Sequence, residues 1–243
     1  METGRALQPF WDWCLRHLGA TGVASPAFLL TAVVAGVYLP GIVFSFVDVL
    51  FSKRLTLAEC WAVYWRAMKW YGSLYVVAMI AFWTIPMTLL SSVPTVAPTL
   101  FELCKDILFY FLLGDLVSYF WHRFEHRHRW YMRTVHSQHH VDTPPLTIWT
   151  AMVVHPVEGF SVFACFHIYG ILFPIHPLTF AVGAFSVTAV NMITHCGYRL
   201  PVYDWFFATS REHDIHHTHR EARNISVMLS ICDRMFGTFQ KAG

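Results

Sequence analysis

Long apolar runs leave this chain few ways to fold. Ala27 to Phe51 and Trp70 to Val93 are each long enough to cross a hydrocarbon layer of about 30 Å as a helix, which needs roughly 20 residues. Inside such a layer every backbone N–H and C=O has to be satisfied within the segment, and a helix does this. Pro40-Gly41 interrupts the first run and predicts a kink there, or a break into two tilted halves. The second run carries Pro86. Leu100 to Trp121 is a third run, less apolar because it holds Glu102, Lys105, Asp106 and Asp115, and it passes without a breaker into a group of histidines. Ser91 to Thr99 reads as the turn between the second and third runs. After Pro144-Pro145 a mixed stretch reaches Pro174, and a further apolar run, Pro177 to Thr194, leads directly to His195. The expected fold class is all-α: a multi-span helical membrane protein.

Composition agrees. Hydrophobic residues make up 56% and charged residues 13%, the latter about half the share usual in a soluble domain. A net charge near +2 without a clustered basic face excludes a nucleic-acid-binding role. The six cysteines are scattered with no C-x-x-C pair, so neither a disulfide framework nor a zinc ribbon is expected. The N-terminus does not read as a cleaved signal peptide. Basic residues orient the spans. Ser52 to Lys69 carries Lys53, Arg54, Arg66 and Lys69; Arg123, Arg127, Arg129 and Arg133 follow the third run; Arg199, Arg211, Arg220, Arg223 and Arg234 mark the tail. All three segments fall on the cytoplasmic side if 146–194 forms a two-pass hairpin or a re-entrant excursion, which leaves the N-terminus lumenal or external.

Histidine is the anomaly, with 15 against 17 Lys and Arg. His122 and His126 stand at i, i+4, while His136, His139 and His140, and again His213, His216 and His217, spell H-x-x-H-H. Positions i, i+3 and i+4 share a helix face, so each cluster can aim its rings at one point. Eight imidazoles are too many for one ion and suit two, and imidazole favours Fe, Zn, Cu or Ni. A lone histidine is usually a surface or core residue. His128, His167, His176 and His219 read that way, and His155, followed by Pro156, reads as the end of a loop.

The order of these clusters, with a single His195 before the last, resembles the fatty acid hydroxylase/sterol desaturase superfamily. The resemblance covers about 110 to 240. It includes Asp115-Leu-Val-Ser-Tyr119-Phe-Trp-His122-Arg123, His155-Pro-Val-Glu-Gly159 and Asn191-Met-Ile-Thr-His195-Cys-Gly-Tyr198. The ending Cys232-Asp-Arg-Met-Phe-Gly-Thr238 is similar too, with Cys232 where the family usually has Trp.

The resemblance implies spans 1–99 followed by a catalytic unit, 100–243, integrated with them, and a cytosolic helical cap holding a His-rich dimetal site. The implied ligands are His122, His126, His136, His139, His140, His195, His213, His216 and His217, holding two iron ions, with zinc able to substitute in purified protein. Asn191 stands where some members have a further histidine; it is expected to ligate weakly, bind water or pack. Asp115 lies two turns before His122, roughly 10 Å along the helix. It is expected to orient a histidine from another helix.

The implied activity is O2-dependent hydroxylation or desaturation of a lipid taken from the bilayer, a sterol or a fatty-acyl lipid. Phe109, Tyr110, Phe111, Tyr119, Phe120 and Trp121 suit a pocket for a rigid apolar substrate. No haem-binding domain is visible, so electrons are expected from a separate b-type cytochrome, ferredoxin or reductase. The location implied is the endoplasmic reticulum of a eukaryote or the inner membrane of a bacterium. Two other classes use the same residues, a zinc or iron transporter and a catalytically inactive metal-binding scaffold. Asn224-Ile-Ser226 spells a glycosylation sequon and is expected to stay unmodified on the cytoplasmic side.

Overall fold

The computed structural model of the chain describes residues 5–84, 93–218 and 222–242. Among them every regular element is helical: α1 (Gln8–Val23), α2 (Pro26–Phe46), α3 (Leu57–Thr84), α4 (Leu100–Arg127), α5 (Arg129–Thr134), α6 (Pro156–Phe166), α7 (Ile168–Leu172), α8 (Pro177–Ile193), α9 (Ser210–Thr218) and α10 (Ile231–Met235). Tight helical turns at His136–Val141 and Ile148–Met152 connect α5 to α6. Pro86, Ser91, His219 and Arg220 lie outside the described residues.

The long helices run between two ends. At one end α1 clasps the turn before α4: Trp11 Nε1 donates to the Pro94 carbonyl at 2.8 Å, and the Ala97 N–H donates to Gln8 Oε1 at 2.8 Å. His176, which caps α8, reaches the Val96 carbonyl at the same end. From the opposite end α6 and α7 descend beside α4. Gly114 lies against the Phe166 backbone, and Tyr169 OH donates to Asp106 at 3.1 Å. Then α8 climbs back, with Phe180 against Tyr110, and delivers His195 to the end from which α6 started. Segment 146–194 therefore leaves and returns to one end of the bundle. The main contact of α8 is with α2. A Cβ on Gly36 would lie 2.7 Å from the Phe185 carbonyl oxygen, so glycine is what lets these two backbones approach.

One helix among the described residues, α2 with its continuation to Phe51, is by length and composition able to cross a membrane. The helices α6 and α8 are apolar but shorter, 11 and 17 residues. Of the kink or break expected at Pro40-Gly41, the break does not occur. Pro40 lies inside α2; it removes one N–H from the helix ladder, and Gly41 packs on the Trp149 ring, supporting the helix where that bond is lost. The chain then widens into a π-helical turn, Val47–Phe51, that turns Asp48 inward. The basic segment Ser52 to Lys69 is mostly helix rather than loop, because α3 begins at Leu57. A reciprocal cap starts it. Glu59 accepts from the Thr56 N–H at 2.8 Å while Thr56 Oγ1 accepts from the Glu59 N–H at 3.2 Å. The pair Thr99 and Glu102 starts α4 in the same way.

Candidate metal centre

Four separate pieces of chain bring the nine expected histidines together at one end of the bundle. The last turns of α4 present His122 and His126, the turn after α5 presents His136, His139 and His140, the end of α8 leads into His195, and α9 presents His213, His216 and His217. Their ring nitrogens form two groups, each with all its atoms within 4.8 Å of one another. His122, His126, His136, His140 and His216 make the first, and His139, His195, His213 and His217 the second.

The two H-x-x-H-H clusters thus do not each aim at one point, as their spacing suggests. They interleave, each sending rings to both groups. On α9 the reason is angular. At about 100° per residue, His213 and His217 stand some 40° apart and go together, while His216 lies about 100° from His217 and faces the other group.

The outer ring nitrogens explain why the inner ones converge. His122 Nδ1 donates to the Ile225 carbonyl at 2.7 Å, His216 Nδ1 to the Arg223 carbonyl at 2.9 Å, His195 Nδ1 to the Asn191 carbonyl at 3.0 Å, and His136 Nδ1 to Glu158 Oε1 at 2.8 Å. A neutral imidazole that donates from Nδ1 has a bare lone pair on Nε2. Yet His136 Nε2 lies 3.0 Å from the Nε2 atoms of both His126 and His140, His126 Nε2 is 3.2 Å from His216 Nε2, and His195 Nε2 is 2.9 Å from His213 Nε2. Lone pairs packed together without enough protons to share are the arrangement a bound cation stabilises, and an all-imidazole set suits iron or zinc. Burial first, and the neighbouring rings second, hold His139 and His213 well below the usual imidazole range. At neutral pH they are in the form that binds metal.

Several supporting residues were not foreseen. Glu158, from the His155-Pro-Val-Glu-Gly159 stretch, and Glu125, between His122 and His126, are both buried. Both face His136, at 2.8 and 3.7 Å. The available signal was an acid beside a histidine in each case, Glu125 next to His126 and Glu158 three residues after His155. Asp233 folds the loop that carries the Ile225 and Arg223 carbonyls. It accepts from the N–H groups of Ile225 and Ser226 at 2.8 and 2.9 Å and from Thr238 Oγ1 at 2.7 Å. The Cys232–Thr238 ending therefore positions His122 from a distance. Cys232 itself packs beside Tyr119 and Ile225. Gly197, at φ +75°, holds the turn after His195 where a side chain would strike the Arg54 guanidinium. Arg54 in turn donates to the Cys196 and Leu146 carbonyls at 3.0 and 2.8 Å.

One expectation needs correction. The Asp115 carboxylate accepts not from a histidine but from the Leu229 N–H at 3.0 Å, tying α4 to the C-terminal loop. Asn191 orients His195 through its backbone carbonyl, and the residue lines the adjoining cavity. His128, His155 and His176 each cap a helix by accepting from a backbone N–H. The Asn224 amide is buried and donates to the carbonyls of Glu212 and Gln240, both at 2.9 Å, which leaves no room for a glycan. Beside the histidines lies a cavity of about 110 Å³ whose walls are mostly apolar, among them Val33, Val37, Met152, Val162 and Phe166. His122 and His139, one ring from each group, reach it.

A family model described as fatty acid hydroxylase matches residues 107–238, more than half of the chain. The chain belongs to the fatty acid hydroxylase family. Every one of the nine converging histidines falls within the matched segment. A cholesterol 25-hydroxylase-like protein of Caenorhabditis briggsae is 29% identical over 251 residues, covering 96% of this chain and 82% of that protein. Lathosterol oxidase of Homo sapiens is 29% identical over 143 residues, covering 58% and 47%. Methylsterol monooxygenase 1-1 of Arabidopsis thaliana is 28% identical over 147 residues, covering 58% and 49%. No solved structure matches this family member.

Proposed function

We propose that this chain is a membrane oxidoreductase that holds two iron ions and uses O2 to hydroxylate or desaturate a lipid, a sterol or a fatty-acyl lipid. The observation that carries the reading is the pair of imidazole groups, five and four rings, opening on one apolar cavity. The names of the relatives, sterol hydroxylases and oxidases, favour a lipid substrate. When bound, the iron pair supplies oxygen activation. In hydroxylation one oxygen atom enters the lipid and the other leaves as water, with two electrons and two protons taken up; in desaturation both leave as water.

The chain's own residues hold and orient. The nine histidines are the proposed ligands, and Glu158, with Glu125 beyond it, orients the His136 ring from behind. The apolar walls exclude water from the reacting carbon. Electrons come from a separate donor protein, and the exposed Arg127, Arg129 and Arg133 suit an acidic one.

Residues 1–99 are proposed to anchor the chain by transmembrane helices, and residues 100–243 to form the catalytic unit. The α6–α8 hairpin is too short to cross twice at full depth: α8 is about 26 Å long at 1.5 Å per residue, against about 30 Å of hydrocarbon. It is read as a shallow excursion from the cytoplasmic face of the endoplasmic reticulum or of a bacterial inner membrane. Cysteines placed at Arg133 and Arg223, in a background lacking the native cysteines, should then react with an impermeant reagent from the cytoplasmic side, and one at Thr95 only from the other. The activity is tested by comparing lipids of cells that express the wild type or His139→Ala. A species gaining one oxygen or losing two hydrogens only with the wild type is expected, and identical lipid profiles would overturn the reading.

A further inference from the structure

His167 has no partner pattern in the sequence, and the structure places it at the cavity beside the candidate metal centre. It joins α6 to α7, is 1% exposed, and lines the same cavity as His122 and His139. Phe163 lies 4.0 Å from its ring centroid, and Tyr110 and Phe180 lie at 5.9 and 6.4 Å. The Phe166 carbonyl is near enough to bias the ring, yet neither Nδ1 nor Nε2 has a partner at hydrogen-bonding geometry. The Tyr110 hydroxyl, on a fully buried side chain, is also without one. Buried polar groups in folded proteins are almost always paired, and leaving them unpaired is destabilising. Two such groups side by side, with His167 on the wall of a cavity and Tyr110 packed behind it, point to a ligand.

Their position says which part of a ligand they meet. Tyr110 precedes His122 by twelve residues on α4, about 18 Å along the helix axis. His167, packed against Tyr110, therefore marks the part of the cavity wall remote from the clustered rings. The lining chemistry narrows the class. No Lys or Arg borders the cavity, and its ionisable walls beside the histidines are Glu125 and Glu158. A carboxylate or phosphate would meet two acids and no cation. A neutral imidazole both donates and accepts, as a hydroxyl does. We propose that His167, backed by Tyr110, hydrogen-bonds a hydroxyl at the far end of a neutral lipid and so sets which carbon reaches the histidine groups. This rests on the lipid-oxidation reading for its purpose, but binding tests it independently of turnover.

Equilibrium binding to the purified, metal-loaded full chain is compared for cholesterol against its 3-deoxy analogue cholest-5-ene, and for hexadecan-1-ol against hexadecane. The wild type should prefer the alcohol of at least one pair by about tenfold or more. His167→Phe, which keeps an aromatic ring in place, should bring that ratio to within about twofold at unchanged metal content, and Tyr110→Phe should lower it in part. A wild type that binds no alcohol more tightly than its deoxy partner overturns the proposal, as does a His167→Phe variant that keeps the preference. Should His167→Phe lose its metal, Tyr110→Phe decides, and an undiminished ratio there overturns the proposal. Discrimination without any oxidised product would leave this site standing and remove the proposed activity; product without discrimination would do the reverse.

Discussion

The five-ring and four-ring groups draw on the same two H-x-x-H-H sequences, but their rings are held differently. In the first group three rings are fixed from behind, by the carbonyls of Ile225 and Arg223 and by Glu158. In the second only His195 is fixed, by the Asn191 carbonyl, while Nδ1 of His139, His213 and His217 has no partner. The first group also has acids beside it and the second has none among its members. A ring held from behind loses less freedom when it ligates, and a carboxylate behind it raises its basicity. The difference teaches that one ion should be held firmly in a preorganised pocket, and the other loosely by rings that can rearrange.

Removing one ring from each group should give the largest effects and separate the two. His139→Ala leaves three rings in its group, whereas His216→Ala leaves four. Both should lower lipid oxidation by at least about a thousandfold, yet both chains should still insert, because insertion rests on the apolar runs. Metal content should fall to about one ion in His139→Ala and stay nearer two in His216→Ala. Equal metal loss in both would remove the asymmetry.

A smaller effect is expected behind the rings. Glu158→Gln should weaken metal binding at the first group by about 10- to 100-fold. Asn191→Ala should change metal content little, because it is the backbone carbonyl that meets His195. Titration with a chelator checks both, and an Asn191→Ala loss matching that of Glu158→Gln would contradict the account.

Acid should act on the metal-free protein through the buried rings. Burial, and then their neighbours, keep His139 and His213 well below the ordinary imidazole range, so the folded state leaves them neutral while the unfolded chain binds protons near pH 6.5. Stability should be independent of these rings above about pH 6.5 and fall as pH drops below it. Thermal unfolding between about pH 8 and about pH 5 should show a falling Tm, and bound metal should flatten the fall. A Tm that rises with acid would contradict the burial of neutral rings.

The smallest effect is expected outside both groups. His176→Ala removes a helix cap, costing about 0.5–2 kcal/mol of stability with metal content and turnover unchanged. Activity as sensitive at His176 as at His139 would mean that spacing is a poor guide to these rings.

The histidines could be read from sequence because ligand spacing is local. His122 with His126 and the two H-x-x-H-H runs stand out in any order of folding, and the apolar runs announce helices before any tertiary contact is known. The interleaving was not legible, since it depends on how the turn after α5 docks on α9. Nor were the roles of Asp115 and Asp233. Each accepts from backbone N–H groups of the same C-terminal loop, contacts that cross more than a hundred residues in one case and fewer than ten in the other, and a carboxylate's partner cannot be inferred from the carboxylate. His167 shows the same limit from the other side. It has no neighbour of its kind in sequence, and only the packing of α6 and α7 on α4 sets it against the cavity. The starts of α3 and α4, by contrast, were there to be seen in Thr56-Leu-Ala-Glu59 and Thr99-Leu-Phe-Glu102.

The central claim is that the nine histidines hold a pair of ions, one to each group. Elemental analysis of the purified full chain, with its folding checked independently, tests this most directly. The account predicts about two metal ions per chain, iron from cells and zinc as a substitute after overexpression. A well-folded chain holding one ion or none would contradict it.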